Sequence, residues 1–246
     1  FIERVKQSGV SLLVSMSFDQ IIRRPLIDTA PQGFINCHAG ALPFYRGRNP
    51  LNWALINDEP AFGVTAHFID EGIDTGDIVC QEHLAITDDD DYASLLHRAE
   101  EGCPRVLVDA IVAIQGGRAQ PIEQNTIHPV GFYCGRRRVG DEYLNWAQSS
   151  RAIFCFVRAI SSPGPCARTF LEDGRELAIN KAHMVPGAPN YKATVGEIVG
   201  RDESGIFVKT EDNVLRVSEC SWVSGGKLGE AFCPKLPIGT RLAPSE

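Results

Sequence analysis

Apolar residues recur along this chain at two periods, and each change of period marks a change of element. Residues 1–9 read as the end of a helix closed by Gly9, and Val10 to Val14 is an apolar run of strand length. Gln20 to Asp28 is helix-like, although Pro25 must kink or shorten it. Gly33 to Cys37 reads as the next strand, so strand and helix alternate, which predicts a parallel α/β sheet. Asn49-Pro50 opens a helix that runs through Trp53 to about Asn57, with proline near its first position. Two strands follow: Gly63 to Ile69, where Val64, Ala66 and Phe68 alternate with Thr65 and His67, and Ile78 to Leu84. Thr87 and the acids Asp88 to Asp91 predict a capped helix start, where negative charge complements the macrodipole. That helix runs to about Gln115 on Leu95, Leu96, Val106, Ala110, Ile111 and Ile114, and Gly116-Gly117 ends it.

Residues 117–147 are polar and turn-rich, with Pro121, Pro129, Gly131, Gly135 and Gly140, and suit a linker. Gln148 to Ile160 has helical spacing in Ile153, Phe154, Val157 and Ile160. Short alternating runs then follow at Thr169–Leu171, Leu177–Ala182, Gly196–Val199, Ile206–Lys209 and Val214–Cys220, which predict a small antiparallel barrel or sandwich. The expected organisation is a first domain over 1–116, a linker over 117–147, and a second domain over 148–246 made of a helix and a small barrel.

Composition narrows the class. The eight cysteines are scattered, without a CxxC pair or zinc-finger spacing, so reduced thiols filling the core are expected and no metal is called for. No apolar run is long enough to span a bilayer, and Phe1-Ile2-Glu3-Arg4-Val5-Lys6 lacks the features of a secretion signal, so a cytoplasmic protein without a membrane partner is expected. Residues 1–116 hold 8 Lys and Arg against 17 Asp and Glu, a net of −9, whereas 117–246 hold 16 against 14, a net of +2. The acidic part argues against wrapping nucleic acid, and the mildly basic part leaves room for limited RNA contact. The chain has no initiator Met and opens in what reads as the middle of a helix, so a fragment is expected.

The candidate chemistry lies in Phe34 to Gly47 and in Asp70 to Gly76. Asn36 and His38 are two apart, so on a strand they project from one face, and they fall at the carboxyl end where α/β sheets bind ligands. By themselves they are equally a turn cap and a core histidine, and Asp74 is equally a turn residue before Gly76.

Taken in order, Asn36-x-His38, Leu42-Pro43-x-Tyr45-Arg46-Gly47, Pro50, Trp53-Ala54, Gly63-Val64-Thr65 and Asp74-Thr75-Gly76-Asp77-Ile78 resemble the folate-dependent formyltransferases. The resemblance covers about residues 1–165 and implies a Rossmann-like sheet whose first strand–helix–strand unit precedes Phe1. It implies N-formyl transfer from 10-formyltetrahydrofolate to a primary amine, with Asn36, His38 and Asp74 as the catalytic trio and no metal. Asn36 would face the oxyanion, His38 would handle proton traffic and Asp74 would orient it. Met16, Ser17 and Phe18 with the loop Asp70, Glu71 and Ile73 would wall the pterin, and Arg46 would order its loop or meet substrate phosphate. One departure lies inside the motif: relatives usually carry Ser-Leu-Leu-Pro where this chain has Gly40-Ala41-Leu42-Pro43.

Further on, Tyr133-Cys134-Gly135-Arg136-Arg137-Arg138, Leu144-Asn145-Trp146 and Pro163-Gly164-Pro165-Cys166-Ala167 resemble the larger members, which formylate methionyl-tRNA or a UDP-linked amino sugar. The Gly-Arg-Arg run and the near-neutral second part favour a nucleotide-linked amino sugar as acceptor, with initiator tRNA as the alternative. Hydrolysis of formyltetrahydrofolate and a non-catalytic folate-binding module are the remaining readings. Oligomeric state is not legible.

Overall fold

The computed structural model describes residues 1–16, 18 and 20–243. In chain order the elements up to Cys134 are α1 (Ile2–Gln7), β1 (Leu13–Met16), α2 (Arg24–Ile27), β2 (Phe34–His38), β3 (Arg46–Gly47), α3 (Pro50–Ile56), β4 (Ala61–Phe68), β5 (Ile78–Ala85), α4 (Tyr92–Gln115), α5 (Gln124–Ile127) and β6 (Tyr133–Cys134). Four strands form one sheet in the order β1-β2-β4-β5. It is mixed rather than parallel: β1 runs parallel to β2, but β4 is antiparallel to both β2 and β5. For β4 and β5 the physical reason is the short loop 69–77, which can return the chain only as a hairpin, whereas a parallel pair needs a crossover.

Local chemistry explains where the elements stop. Pro25 occupies the first turn of α2, so the proline starts this short helix instead of kinking a longer one, and residues 20–23 stay outside it. The acids at 88–91 lie just before α4, and of these Asp88 takes the Arg151 guanidinium at 2.7 Å. One face of α4 buries Leu95, Ala99, Gly102, Val106, Leu107 and Ala110, and Gly102 lies over Val64 of β4 and Leu84 of β5. Behind β2, the Cys37 thiol contacts the Cys103 carbonyl at 3.5 Å, so the side chain between Asn36 and His38 is buried against α4.

Of the segment expected as a linker, residues 117–137 group with this first unit, which comprises Phe1–Ala54, Glu59–Thr87 and Ser94–Arg137, and residues 138–147 with the second. Ile122 bridges Ile78, and β6 pairs in parallel with β3. Its polar, turn-rich composition satisfied backbone groups of the loops it covers, which composition alone cannot distinguish from a solvated linker.

The second unit comprises Leu55–Asp58, Asp88–Ala93 and Arg138–Glu246. Its helix α6 (Ser150–Ala159) is capped by the Ser149 side chain, which accepts the Ala152 N–H at 3.2 Å. The strands β7 (Ala167–Leu171), β8 (Glu176–Met184), β9 (Ile198–Asp202), β10 (Gly205–Lys209), β11 (Val214–Ser224), β12 (Lys227–Phe232) and β13 (Leu242–Ala243) follow. They run antiparallel in the order β13-β7-β8-β11-β10-β9, with β12 added to β11. The sheet curls as a half-barrel until Glu197, beside β9, bridges Arg241, beside β13, so its two ends meet, while β12 pairs with β11 alone. β12 carries no alternating burial, which is why the pattern does not announce it.

Candidate active site

Strand β2 is central in its sheet, so its backbone is paired on both sides and its side chains have fixed directions. Asn36 stands opposite His67 and His38 opposite Thr65, which places two polar pairs side by side on one face of β2 and β4. The opposite face carries Ile35, Cys37, Val64 and Ala66 into the core.

After β2 the chain folds back over His38. Thr65 Oγ1 donates to Gly40 O at 2.7 Å, and Gln81 Nε2 donates to Leu42 O at 2.8 Å, so the turn is tied to β4 and β5. Tyr45, held in the left-handed region at φ 57°, donates its hydroxyl to Glu59 at 2.5 Å and turns its carbonyl to His38 Nε2 at 2.7 Å. A carbonyl cannot donate, so Nε2 of His38 bears the proton and its Nδ1 faces the site. Gly40 makes this possible: a Cβ there would lie 2.5 Å from His38 Nε2 and 2.8 Å from Tyr45 O. The departure from serine at this position therefore has a steric reason in this chain.

Asp74 arrives from the loop between β4 and β5. Asp70 shapes that loop by accepting from Gly72 N at 3.0 Å and Thr75 Oγ1 at 2.6 Å, and Asp74 itself sits at φ 53°. Asp74 Oδ2 accepts the Gly47 N–H at 2.8 Å and lies 3.7 Å from His38 Nδ1, while Oδ1 lies 3.5 Å from His67 Nε2. Gly47 allows the approach of β6 on its other side, where a Cβ would come within 2.6 Å of Cys134 O at a φ of 92°. Behind the loop, buried Gln124 donates from Nε2 to Asp74 O at 2.9 Å and to Gly76 O at 2.7 Å.

The electrostatics follow from this packing. Burial by itself would raise the Asp74 carboxyl, but the adjoining His67 and His38 rings and the Gly47 N–H outweigh it and hold the group at about 2. For His38 burial dominates and pushes the imidazole below its ordinary 6.5; Asp74 and the Tyr45 carbonyl oppose this, and His67 adds to it. The site therefore holds an ionised carboxylate beside a neutral His38 whose Nδ1 lone pair is free to take a proton. Among the described residues no cluster of His, Cys, Asp and Glu is arranged to hold a metal.

These groups open into a cleft of about 730 Å³. Its lining includes Asn36, His38, His67 and Asp74, the apolar side chains Phe18, Ile21, Ile22, Ile69 and Ile73, and Asp70. Of the residues expected to wall a pterin, Phe18, Asp70 and Ile73 line the cleft, whereas Met16 and Glu71 are not in its lining; Glu71 lies 3.6 Å from Arg24 instead. Ser17 lies outside the described residues. Arg46 is buried away from the cleft, and its guanidinium is engaged by Gln124 Oε1 at 3.0 and 2.7 Å and by Val130 O at 3.2 Å. It therefore orders its loop, and a role in meeting substrate phosphate does not fit this geometry.

Sequence reasoning passed over His67 and Gln124. The signal for His67 was available: Thr65 and His67 are the two polar side chains on one face of an otherwise apolar strand, the same pattern Asn36 and His38 make on β2. Gln124 had no such signal, because its partners are backbone carbonyls far off in sequence.

Residues 1–111 match a family model described as formyl transferase, and residues 138–230 match the formyl transferase C-terminal domain. A methionyl-tRNA formyltransferase of Pelobacter propionicus is 32% identical over 98% of this chain and 74% of its own length. One of Thermodesulfovibrio yellowstonii is 32% identical over 88% of this chain and 67% of its own. Among solved structures, an N-formyltransferase of Helicobacter canadensis in complex with folinic acid and dTDP-3-aminofucose superposes with a TM-score of 0.68 at 21% identity, covering 86% of this chain and 76% of that one. HypX of Aquifex aeolicus in complex with tetrahydrofolic acid superposes at 0.64 and 18% identity, covering 91% of this chain and 38% of that one. At these identities the two structures speak to the fold. No helix among the described residues is long and apolar enough to cross a membrane.

Proposed function

The chain belongs to the formyl transferase family, and on that premise we propose that its cleft transfers a formyl group from 10-formyltetrahydrofolate to a primary amine. The observation that carries this reading is the convergence of Asn36, His38 and Asp74 on one cleft, with His38 Nδ1 left as a base 3.7 Å from an ionised carboxylate. The cleft suits the donor: its volume of about 730 Å³ is that of a small-molecule site, and its apolar walls beside Asp70 fit a flat ring with a polar edge. When bound, the folate supplies an activated formyl carbon on nitrogen.

Each residue then has a task. Asn36 offers a carboxamide N–H to the oxygen that gains charge as the amine adds, a donor worth about 3–4 kcal/mol when preorganised. His38 Nδ1 takes the proton that the attacking nitrogen loses, and the imidazolium formed is stabilised by Asp74 at 3.7 Å and by Tyr45 O at 2.7 Å. The same proton can then pass to the folate nitrogen as its bond to the formyl carbon breaks, so the ring ends neutral as it began.

Two acceptors are in contention. The curated relatives named above are methionyl-tRNA formyltransferases, which favours the aminoacyl end of charged initiator tRNA over the amino sugar that the Gly-Arg-Arg run suggested. The amino-sugar reading keeps one specific support: residues 138–246 hold 13 Lys and Arg against 13 Asp and Glu, a neutral balance for a unit that would have to grip tRNA phosphates. The test is formyl transfer by the wild-type protein and the His38→Ala variant, offered charged initiator tRNA and a UDP-linked 4-amino sugar in parallel. One acceptor should be formylated, with loss of orders of magnitude in H38A. Release of formate without either acceptor would point to hydrolysis, and folate binding without turnover to a binding module.

A further inference from the structure

The histidine that no sequence argument singled out shares the site's carboxylate. His67 Nδ1 lies 2.8 Å from Phe68 O, so that nitrogen must carry a proton, and in the neutral ring the lone pair is on Nε2. Two groups compete for Nε2: Asn36 Nδ2 at 3.4 Å, which donates, and Asp74 Oδ1 at 3.5 Å, which only accepts. A neutral His67 accepts the Asn36 N–H, whereas a charged His67 donates to Asp74. The ring is buried, so the choice is made by protein groups and not by solvent. Asp74 from the β4–β5 loop and His38 from β2 are the ionisable groups facing it, β5 sets Ile78 opposite, and Asp70 is turned to Gly72 and Thr75.

We propose that His67 is a positioning residue that sets the Asn36 carboxamide: its Nε2 holds Nδ2 by one N–H and leaves the second for the reacting oxygen. The inference rests on the formyl-transfer reading for its catalytic consequence, but the coupling between the two side chains stands apart from it.

The experiment compares wild type, H67F and H67Q. Phenylalanine removes the acceptor, whereas the glutamine Oε1 supplies one that does not titrate. The expected kcat is lowered about tenfold or more in H67F and restored to within about threefold in H67Q, with KM for the folate donor unchanged in both. Independently of turnover, the Asn36 side-chain amide resonances should move in H67F and return toward their wild-type positions in H67Q. Equal kcat in H67F and wild type, no recovery of kcat in H67Q, or Asn36 resonances indifferent to the His67 substitutions would each overturn the proposal. A wild type that formylates neither acceptor while its Asn36 signals track His67 would instead overturn the formyl-transfer reading alone.

Discussion

Replacing Asp74 by asparagine keeps the shape of the side chain and removes its charge. The amide oxygen can still accept the Gly47 N–H at 2.8 Å, so the loop retains its anchor. What is lost is the attraction for an imidazolium whose Nδ1 stands 3.7 Å from Oδ2. Coulomb's law at an effective dielectric near 20 gives about 4 kcal/mol for that pair. A second measure is the carboxyl itself, held at about 2 against an ordinary 3.8, which corresponds to about 2 kcal/mol after burial has taken its share. The two bracket the loss in transition-state stabilisation, so D74N should lower kcat by about thirtyfold to a thousandfold. Stability has its own signature. Because the folded carboxyl is depressed, its contribution is fully present above pH 3.8 and is lost as pH falls toward 2. Urea unfolding should therefore show D74N less stable than wild type by about 2 kcal/mol at pH 7, with the gap closing between pH 3.8 and 2. Turnover is read as tetrahydrofolate release under saturating donor and acceptor. Wild-type turnover in D74N, or a stability gap that is the same at pH 2 and pH 7, would refute the assigned electrostatics.

Other substitutions test the supports of the site. Gly40→Ala places a methyl 2.5 Å from His38 Nε2, so the bond to Tyr45 O must open; about 1–3 kcal/mol of stability and most of the activity should be lost, checked by denaturant unfolding and turnover. Gln124→Leu strips the donor from the carbonyls of Asp74 and Gly76 and the acceptor from Arg46, and unfolding should show a loss of about 3 kcal/mol with a matching fall in kcat. Arg46→Ala should destabilise the protein while leaving KM for the acceptor unchanged; a large rise in that KM would return Arg46 to the substrate. Since burial depresses His38, activity should persist below pH 6.5 and fall only as pH drops through the lowered value, which a pH profile of kcat would show.

Local periodicity was enough to announce β2, β4, β5, α4, α6 and most barrel strands, because each alternates or repeats over enough residues to show its buried face. Spacing put Asn36 and His38 on one face, and the order of motifs around them pointed to the family. Segment boundaries were less legible where they depended on distant partners: residues 117–137, part of the expected linker, group with the first unit and reach the Asp74 loop through Gln124. The direction of β5 against β4 depended on the hairpin at 69–77, which no period encodes.

By itself, then, the sequence determined the strands, the residue types at the site and their family order, since these rest on interactions within a few positions. Only the tertiary structure decided that His67 shares Asp74 with His38, that Gly40 leaves room for the His38–Tyr45 bond, and that Arg46 is held by Gln124. Those contacts join residues from seven to 78 positions apart, and what sets them is the packing of strand ends and loops in space.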